Sequence, residues 1–348
     1  SIVYQALGAP TRELTGELII SVVLPPLVFQ AALTMNYAAF RKAQRTVILL
    51  AVVSVAVSAV ICSLIVASLT SLSLIAALAF GVIISPTDAA AVVDTLKRVK
   101  APKDLATIIE GESLLNDATA LALFSAVSAL TLNPFLSAFD MVVEFAGGTV
   151  VGLALGLIAT KLLSLLEDKN AQVMVSISVA YGSYILADTL NFSGIVAVAI
   201  LGLYTARYYH KASPEPSQNT LMVDFWSVAA FIANTVAFVF IGLGSDVLQM
   251  LQYAPLIVLC FVAALVARYV SIQSVLVPAS RFVGSIPRSW RNITWLGGIR
   301  GAVSVALALS LPEFPFKSTI VAITFGVVLL SLLVQTRLLS YYMTRVLG

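Results

Sequence analysis

Glu110-Gly111-Glu112-Ser113-Leu114-Leu115-Asn116-Asp117 lies inside a segment, Leu105 to Leu130, that is otherwise apolar and long enough to cross a bilayer. An ionisable side chain at membrane depth costs roughly 2.5–3.5 kcal/mol on insertion scales, so its default reading is an ion site, a proton relay or one half of a pair. Ser113 and Asp117 are i and i+4, as are Glu112 and Asn116, so the four form adjoining strips on one polar face of a helix. Asp117 falls near mid-span. Glu112 is about 7 Å nearer one end at 1.5 Å rise per residue. Two unpaired carboxylates that close do not both ionise easily, which gives them different tasks.

The rest of the chain has the same character: 60 % hydrophobic residues, 11 % charged, and a mean hydropathy of +1.01. This is the composition of a polytopic membrane protein, not of a soluble domain. At about 20 residues per span, about eleven spans are expected, near 15–35, 46–69, 72–97, 104–130, 139–165, 171–190, 192–208, 221–244, 250–275, 290–311 and 317–340. Backbone groups in lipid must be satisfied within a segment, and the alternation of a membrane barrel is absent, so the fold is all-α. Because the sequence begins at Ser1 and shows no secretory signal, it is expected to be part of a longer protein with a further N-terminal stretch. Cys62 and Cys260 lie in apolar runs without metal or redox spacing and are read as packing residues.

Basic residues test the span count. With Ser1 outside, the inside loops hold Arg41, Lys42 and Arg45; Lys97, Arg98, Lys100 and Lys103; Lys161 and Lys169; Arg207 and Lys211; Arg281, Arg288 and Arg291; and Arg337 and Arg345. Outside are Arg12 and Lys317. This asymmetry puts the C-terminus in the cytoplasm, and it accounts for a net charge of +3 without nucleic acid. Arg268 and Arg300 fall within spans and join the functional candidates.

Two spans are interrupted. Ser85-Pro86-Thr87-Asp88 breaks the third and Gly297-Gly298-Ile299-Arg300-Gly301 the tenth, both at mid-depth and in opposite directions through the bilayer. Pro86 removes a backbone donor, and the glycines permit unwinding. Paired broken helices are what an inverted-repeat transporter uses to place half-helix ends at a midplane site. Asp88 then neutralises an N-terminal half-helix end and Arg300 a C-terminal one. The bland alternative is a proline kink and a Gly-rich packing face. Arg268, near the cytoplasmic end of the predicted 250–275 span, is the leading ion-pair partner for Glu112, with Arg300 second. Asp117 is left as the exchangeable carboxylate, with Asn116, Ser113, Thr87 and Asp88 nearby.

These residues, with Ala267-Arg268-Tyr269-Val270-Ser271 and the Ile109-Glu110 lead-in, resemble the monovalent cation/proton antiporter family 1. That family comprises NhaP-type antiporters, plant plasma-membrane antiporters and animal sodium/proton exchangers. The resemblance covers nearly the whole chain, and Glu112-Ser113-Leu114-Leu115-Asn116-Asp117 is its specific part. It implies an inverted-repeat, NhaA/NhaP-like fold with two broken crossing helices, commonly about thirteen spans in full. It also implies that Asp117 binds the ion and the proton, that Asn116 is its partner in electroneutral members, and that Thr87 and Asp88 are crossing-helix residues. Glu112 and Arg268 correspond to the structural ion pair. Family members usually show Ala-Thr-Asp-Pro where this chain has Pro86-Thr87-Asp88-Ala89, so the proline here precedes the acid. The whole chain, 1–348, reads as one transmembrane domain, with an ion-translocating core at about 46–165 and 221–348 and a scaffold or dimer-interface part at about 1–45 and 166–220.

The expected activity is exchange of Na⁺ (or Li⁺) for H⁺ by alternating access, one for one and electrically silent, with Ser113, Asn116 and Thr87 supplying oxygens to a dehydrated cation beside Asp117. It is a secondary transporter rather than an enzyme, serving pH homeostasis. No cofactor is expected, and the partners are the bilayer of the cell membrane, the transported ions and a second copy in a homodimer. K⁺/H⁺ exchange is the nearest alternative. A cation channel lined by the same constellation, or an intramembrane aspartyl protease using Asp88 and Asp117 as a shared-proton pair, is the alternative from another class; the Gly-x-Gly-Asp pattern of such enzymes is met at Gly242-Leu243-Gly244-Ser245-Asp246 only with an inserted serine. Several polar residues have blander readings. His210 is a solvated loop residue, and Asp188, Asp224 and Asp246 are interfacial. Tyr204, Tyr208, Tyr341 and Tyr342 are interface anchors. Gly147, Gly148, Gly152 and Gly156 form small-xxx-small spacing that close helix packing explains, a dimer contact being one place for it.

Overall fold

The computed structural model describes residues 16–129, 134–212, 220–244 and 247–347, and the secondary structure of these residues is helical. Arg12, Ser245 and Asp246, and the side chain of His210, lie outside the described residues. The helices are α1 (Gly16–Thr34), α2 (Tyr37–Leu69), α3 (Leu74–Ile83), α4 (Ala90–Arg98), α5 (Lys103–Ala129), α6 (Pro134–Leu165), α7 (Lys169–Thr189), α8 (Gly194–Ala212), α9 (Thr220–Gly244), α10 (Val247–Gln252), α11 (Ala254–Val283), α12 (Arg288–Leu296), α13 (Ala302–Leu309) and α14 (Lys317–Leu347). Five described helices are long and apolar enough to cross a membrane by themselves. Their outward faces carry exposed Leu64, Val150, Leu157 and Phe231, as expected where lipid rather than water is the solvent.

Several helices outrun the apolar stretches that predict them. The helix expected at 46–69 begins at Tyr37, because Asn36 caps it by accepting the Ala39 N–H at 3.0 Å, and its first turns carry Arg41, Lys42 and Arg45 on an exposed face. The helix expected at 250–275 runs to Val283, past Pro278, with Arg281 in its last turn. Arg268 therefore sits at mid-helix, not near an end as read from the sequence. Hydropathy marks where lipid begins; hydrogen bonding decides where a helix stops.

Prolines leave carbonyls without their helical donor, and other groups satisfy them. Pro26 has no N–H for the Val22 carbonyl, and the Tyr181 hydroxyl donates to that oxygen at 3.0 Å, fastening α7 to α1. Pro86 denies the Val82 carbonyl its i+4 donor, and there the local chain compensates: the carbonyl accepts the Ser85 N–H at 3.0 Å and the Ser85 hydroxyl at 2.7 Å. The main core is built on Leu24, Phe29, Phe80 and Trp226, with the Trp226 indole donating to Ser176 Oγ at 2.9 Å.

Two groups of helices are visible in the packing. α1, α7, α8 and α9 pack on one another, and α6 lies against α7 and α8; α2, α3, α5 and α11 to α14 form the other set. The glycines of α6 belong to the first group. A Cβ at Gly148 would meet the Ser193 carbonyl, one at Gly152 the Ala197 carbonyl, and one at Gly156 the ring of Tyr204, all on α8. The small-residue stripe thus seats α8 within the same chain. The close packing expected from the spacing is therefore present, with α8 rather than a second copy as the partner of these glycines, since spacing shows that a helix can pack closely but not against what.

α2 and α14 each contain one widened π segment, Leu49–Ser54 and Ser331–Gln335. Ser54 at the end of the first shares a 2.9 Å hydrogen bond with Ser271 of α11.

Candidate ion site at the crossed helices

The two sequence interruptions are real breaks. α3 ends at Ile83 and α4 starts at Ala90; α12 ends at Leu296 and α13 starts at Ala302. The breaks touch, and each supplies what the other lacks. Asp88 N–H donates to the Ile299 carbonyl at 2.7 Å. The Arg300 guanidinium donates through Nη1 to the Ser85 carbonyl at 2.8 Å and the Pro86 carbonyl at 3.4 Å, placing a cation on the C-terminal end of α3. Asp88 sits at the entrance to α13, where a Cβ on Gly301 would meet Asp88 Oδ2 at 3.0 Å. Glycine at 301 lets the acid approach that helix start.

α5 supplies the third side. Ser113 donates to the Thr87 carbonyl at 2.8 Å and accepts the Ala89 N–H at 3.1 Å, bridging the first break. Asn116 Nδ2 donates to Thr87 Oγ1 at 2.7 Å and to Glu112 Oε1 at 3.1 Å, while its Oδ1 has no partner among the described residues. The Glu112 carboxylate meets Arg268 in a two-pronged pair, Nη1 to Oε1 at 3.2 Å and Nη2 to Oε2 at 3.0 Å. Nη2 also donates to the Thr294 carbonyl at 3.2 Å. Both residues are buried, at 2 % and 3 % exposure. A side chain at position 298 would collide with the Arg268 guanidinium, so Gly298 leaves the room this pair occupies.

Asp117 differs from its neighbours. Its carboxylate makes no hydrogen bond or ion pair among the described residues, and it faces a cavity of about 330 Å³. Thr87, Asp88, Ser113 and Gly301 line the cavity from the site, and Gln30 of α1 and Asn234 of α9 from the opposite wall. Glu110, Ser113 and Asp117 mark a stripe along α5 about 10 Å long at 1.5 Å per residue. The cavity follows it towards Asp94 and Lys97 on α4.

Asp117, Asn116, Ser113, Thr87, Asp88, Glu112, Arg268 and Arg300 are therefore assembled in one place. Sequence reasoning missed Gln30 and Asn234, each a lone amide in an apolar run. It also missed Ser331 and Gln335, whose i, i+4 spacing in an apolar span is the signal that marked Ser113 and Asp117. Asp188 and Asp224 are exposed near helix ends. Cys62 and Cys260 are buried free thiols.

Two crossed broken helices around a carboxylate-lined cavity define the class: a polytopic membrane protein with transporter architecture. The chain belongs to the sodium/hydrogen exchanger family, whose model, described as "Sodium/hydrogen exchanger, transmembrane", matches residues 4–345. It is 32 % identical to the Na⁺/H⁺ antiporter NhaP of Pseudomonas aeruginosa, over 92 % of this chain and 79 % of that one. It is 31 % identical to the Na⁺/H⁺ antiporter NhaG of Bacillus atrophaeus, over 96 % of this chain and 66 % of that one. The chain spans 60–66 % of the length of NhaG and three cyanobacterial relatives. The fold matches the sodium proton antiporter MjNhaP1 of Methanocaldococcus jannaschii with a TM-score of 0.82 at 23 % identity, covering 96 % of this chain and 85 % of that one.

Proposed function

We propose that this protein exchanges Na⁺ or Li⁺ for H⁺ across the cell membrane, one for one, with Asp117 as the group that holds either ion. The observation that carries this is the contrast within one helix turn and a half: Glu112 is locked to Arg268, and Asp117 faces the cavity without a fixed partner. A carboxylate with no cationic partner is free to trade a proton for a metal cation. The Thr87 hydroxyl and a lone pair of Ser113, both on the cavity wall with Asp117, are oxygens able to replace lost water, as hard cations require. Ser113 is already engaged with backbone on both sides of the break, so its part is as much to hold the site as to bind the ion. Asn116 braces Thr87 against Glu112 and brings no charge. With one titrating group per cycle, the loaded carrier is neutral whichever ion it holds and turnover moves no net charge.

Alternating access follows from two helix groups sliding past each other, with the cavity between them. The packing supports a scaffold of α1 and α6 to α9 and a moving core of α2 to α5 with α11 to α14. This transfers α6 and α9 from the core expected from sequence to the scaffold. The positive-inside distribution supports a cytoplasmic C-terminus, which makes the Lys97 end of the cavity the inward mouth. The exposed apolar faces of α6 and α7, at Val150, Leu157, Met174 and Ile185, are available to lipid or to a second copy in a homodimer.

The deciding experiment is dye-reported proton flux in proteoliposomes of the purified protein, with Na⁺, Li⁺ and K⁺ presented in turn. Proton movement driven by a Na⁺ or Li⁺ gradient, saturable and strictly coupled, is expected. Proton flux with K⁺ alone overturns the sodium assignment, and uncoupled cation conductance overturns exchange.

A further inference from the structure

In an unbroken α-helix the N–H of residue 300 bonds the carbonyl of residue 296. Here those two groups are separated by the second break, and two side chains of α14 are inserted between them. Arg300 N–H donates to Ser331 Oγ at 2.8 Å, the Ser331 hydroxyl donates to Gln335 Oε1 at 3.2 Å, and Gln335 Nε2 donates to the Leu296 carbonyl at 2.9 Å. Three bonds replace one, and the relay runs from the first free N–H to the last carbonyl of α12. Ser331 and Gln335 are the two ends of the π segment in α14, a widened turn of the kind that often marks functional positions. Both are buried, at 0 % and 1 % exposure. The first break is built in the same way. There the separated pair is Ala89 N–H and the Ser85 carbonyl, satisfied by Ser113 and Arg300 respectively.

The relay reaches the cavity through the crossing. With the second break held open, the Ile299 carbonyl accepts Asp88 N–H and Arg300 Nη1 caps the Ser85 carbonyl. These bonds fix the backbone on either side of Thr87, and Thr87 and Asp88 line the cavity beside Asp117. We propose that Ser331 and Gln335 are positioning residues of the ion site: they hold the second crossing helix open and thereby set Thr87 and Asp88 around the bound cation. Neither touches the ion. The proposal rests on the exchange reading above for its kinetic consequence but not for its structural one.

Two variants and two readouts separate these. Gln335→Glu leaves an acceptor for Ser331 in either protonation state, but the introduced carboxyl donates to the Leu296 carbonyl only when protonated. Arg300, the charged residue on the facing break, already has its guanidinium engaged at Ser85. Burial raises the introduced carboxyl well above the usual carboxylate range, so the ratio of variant to wild-type exchange rate, measured at each pH at saturating Na⁺, is expected to fall about tenfold between about pH 6 and about pH 10, the size of effect expected when a buried acceptor loses its donor. A general structural defect lowers the ratio equally at every pH, and a flat ratio overturns the proposal. Ser331→Ala tests the same relay without kinetics and with little change of volume. Hydrogen–deuterium exchange in peptides covering 84–89 and 296–302 is expected to rise about tenfold at both breaks. Faster exchange confined to 296–302 overturns transmission to the ion site, and no change in either overturns the relay. If wild-type protein exchanges no ions, the antiport reading fails while the deuterium measurement still decides the relay.

Discussion

Arg268→Leu removes three buried hydrogen bonds at once, two to Glu112 and one to the Thr294 carbonyl. It strands a carboxylate of 2 % exposure whose remaining donor is Asn116 Nδ2 at 3.1 Å. Breaking a buried pair by deleting one partner costs about 3–5 kcal/mol, because the survivor is an uncompensated charge in a low-dielectric interior. At about 2 cal/mol/K of unfolding entropy per residue, the 348-residue chain is expected to lose roughly 4–7 °C in Tm. The double variant Glu112→Gln with Arg268→Leu removes the stranded charge as well, so it is expected to recover most of that loss, to within about 2 °C of wild type. The assay is thermal unfolding of detergent-solubilised protein followed by tryptophan fluorescence. Trp295 is well placed to report, since its indole donates to the Leu265 carbonyl and its ring packs edge-on against Tyr269. A single variant within about 1 °C of wild type, or a double variant worse than the single, refutes the argument that the pair is a mutual neutralisation inside the core.

Three further outcomes follow from the same geometry. Asp117→Asn keeps the shape of the site and removes its titrating group, so cation-coupled proton flux in proteoliposomes is expected to vanish while Tm stays within about 2 °C; retained flux places the exchangeable group elsewhere. Asn116→Asp sets a second carboxyl against Glu112 Oε1, where an amide donor now lies at 3.1 Å, and is expected to turn silent exchange into exchange that a potential-sensitive dye detects; an unchanged dye signal with active transport refutes the stoichiometric role of the neutral amide. Gly298→Ala forces a methyl group into the Arg268 guanidinium and is expected to lower Tm about as much as Arg268→Leu, a small-to-large change costing ~1–3 kcal/mol in addition to any lost bonds; wild-type stability would show that the guanidinium has room to move.

Much of the site was legible in the chain because membrane burial makes polar residues conspicuous. Ser113, Asn116 and Asp117 stand out at helical spacing against leucine and alanine, and the Pro86 and Gly297 to Gly301 interruptions stand out in apolar spans. Other features were not legible. Helix ends at Tyr37 and Val283 lie beyond the apolar runs, where caps and snorkelling cations extend the helix without a hydropathy signal. Ser331 and Gln335 carry the same spacing as Ser113 and Asp117, but neither is charged, and an amide in a span reads as an ordinary packing polar group.

By itself the sequence determined that this is a bundle of membrane helices, that two of them are interrupted, and which few ionisable groups lie between them. Those properties are sums of local transfer and hydrogen-bonding terms along one segment, and lipid leaves the backbone no alternative to helix. The tertiary structure alone decided the pairings. Depth left Arg268 and Arg300 both open to Glu112; packing gave Arg268 to the acid and Arg300 to the carbonyls of Ser85 and Pro86. Spacing showed that α6 packs closely through its glycines, and only the fold named α8 as the partner. The rotation and tilt of each helix are set by its neighbours and not by its own hydropathy, so which buried charge meets which, and which is left to face the cavity, is decided only when the helices have packed.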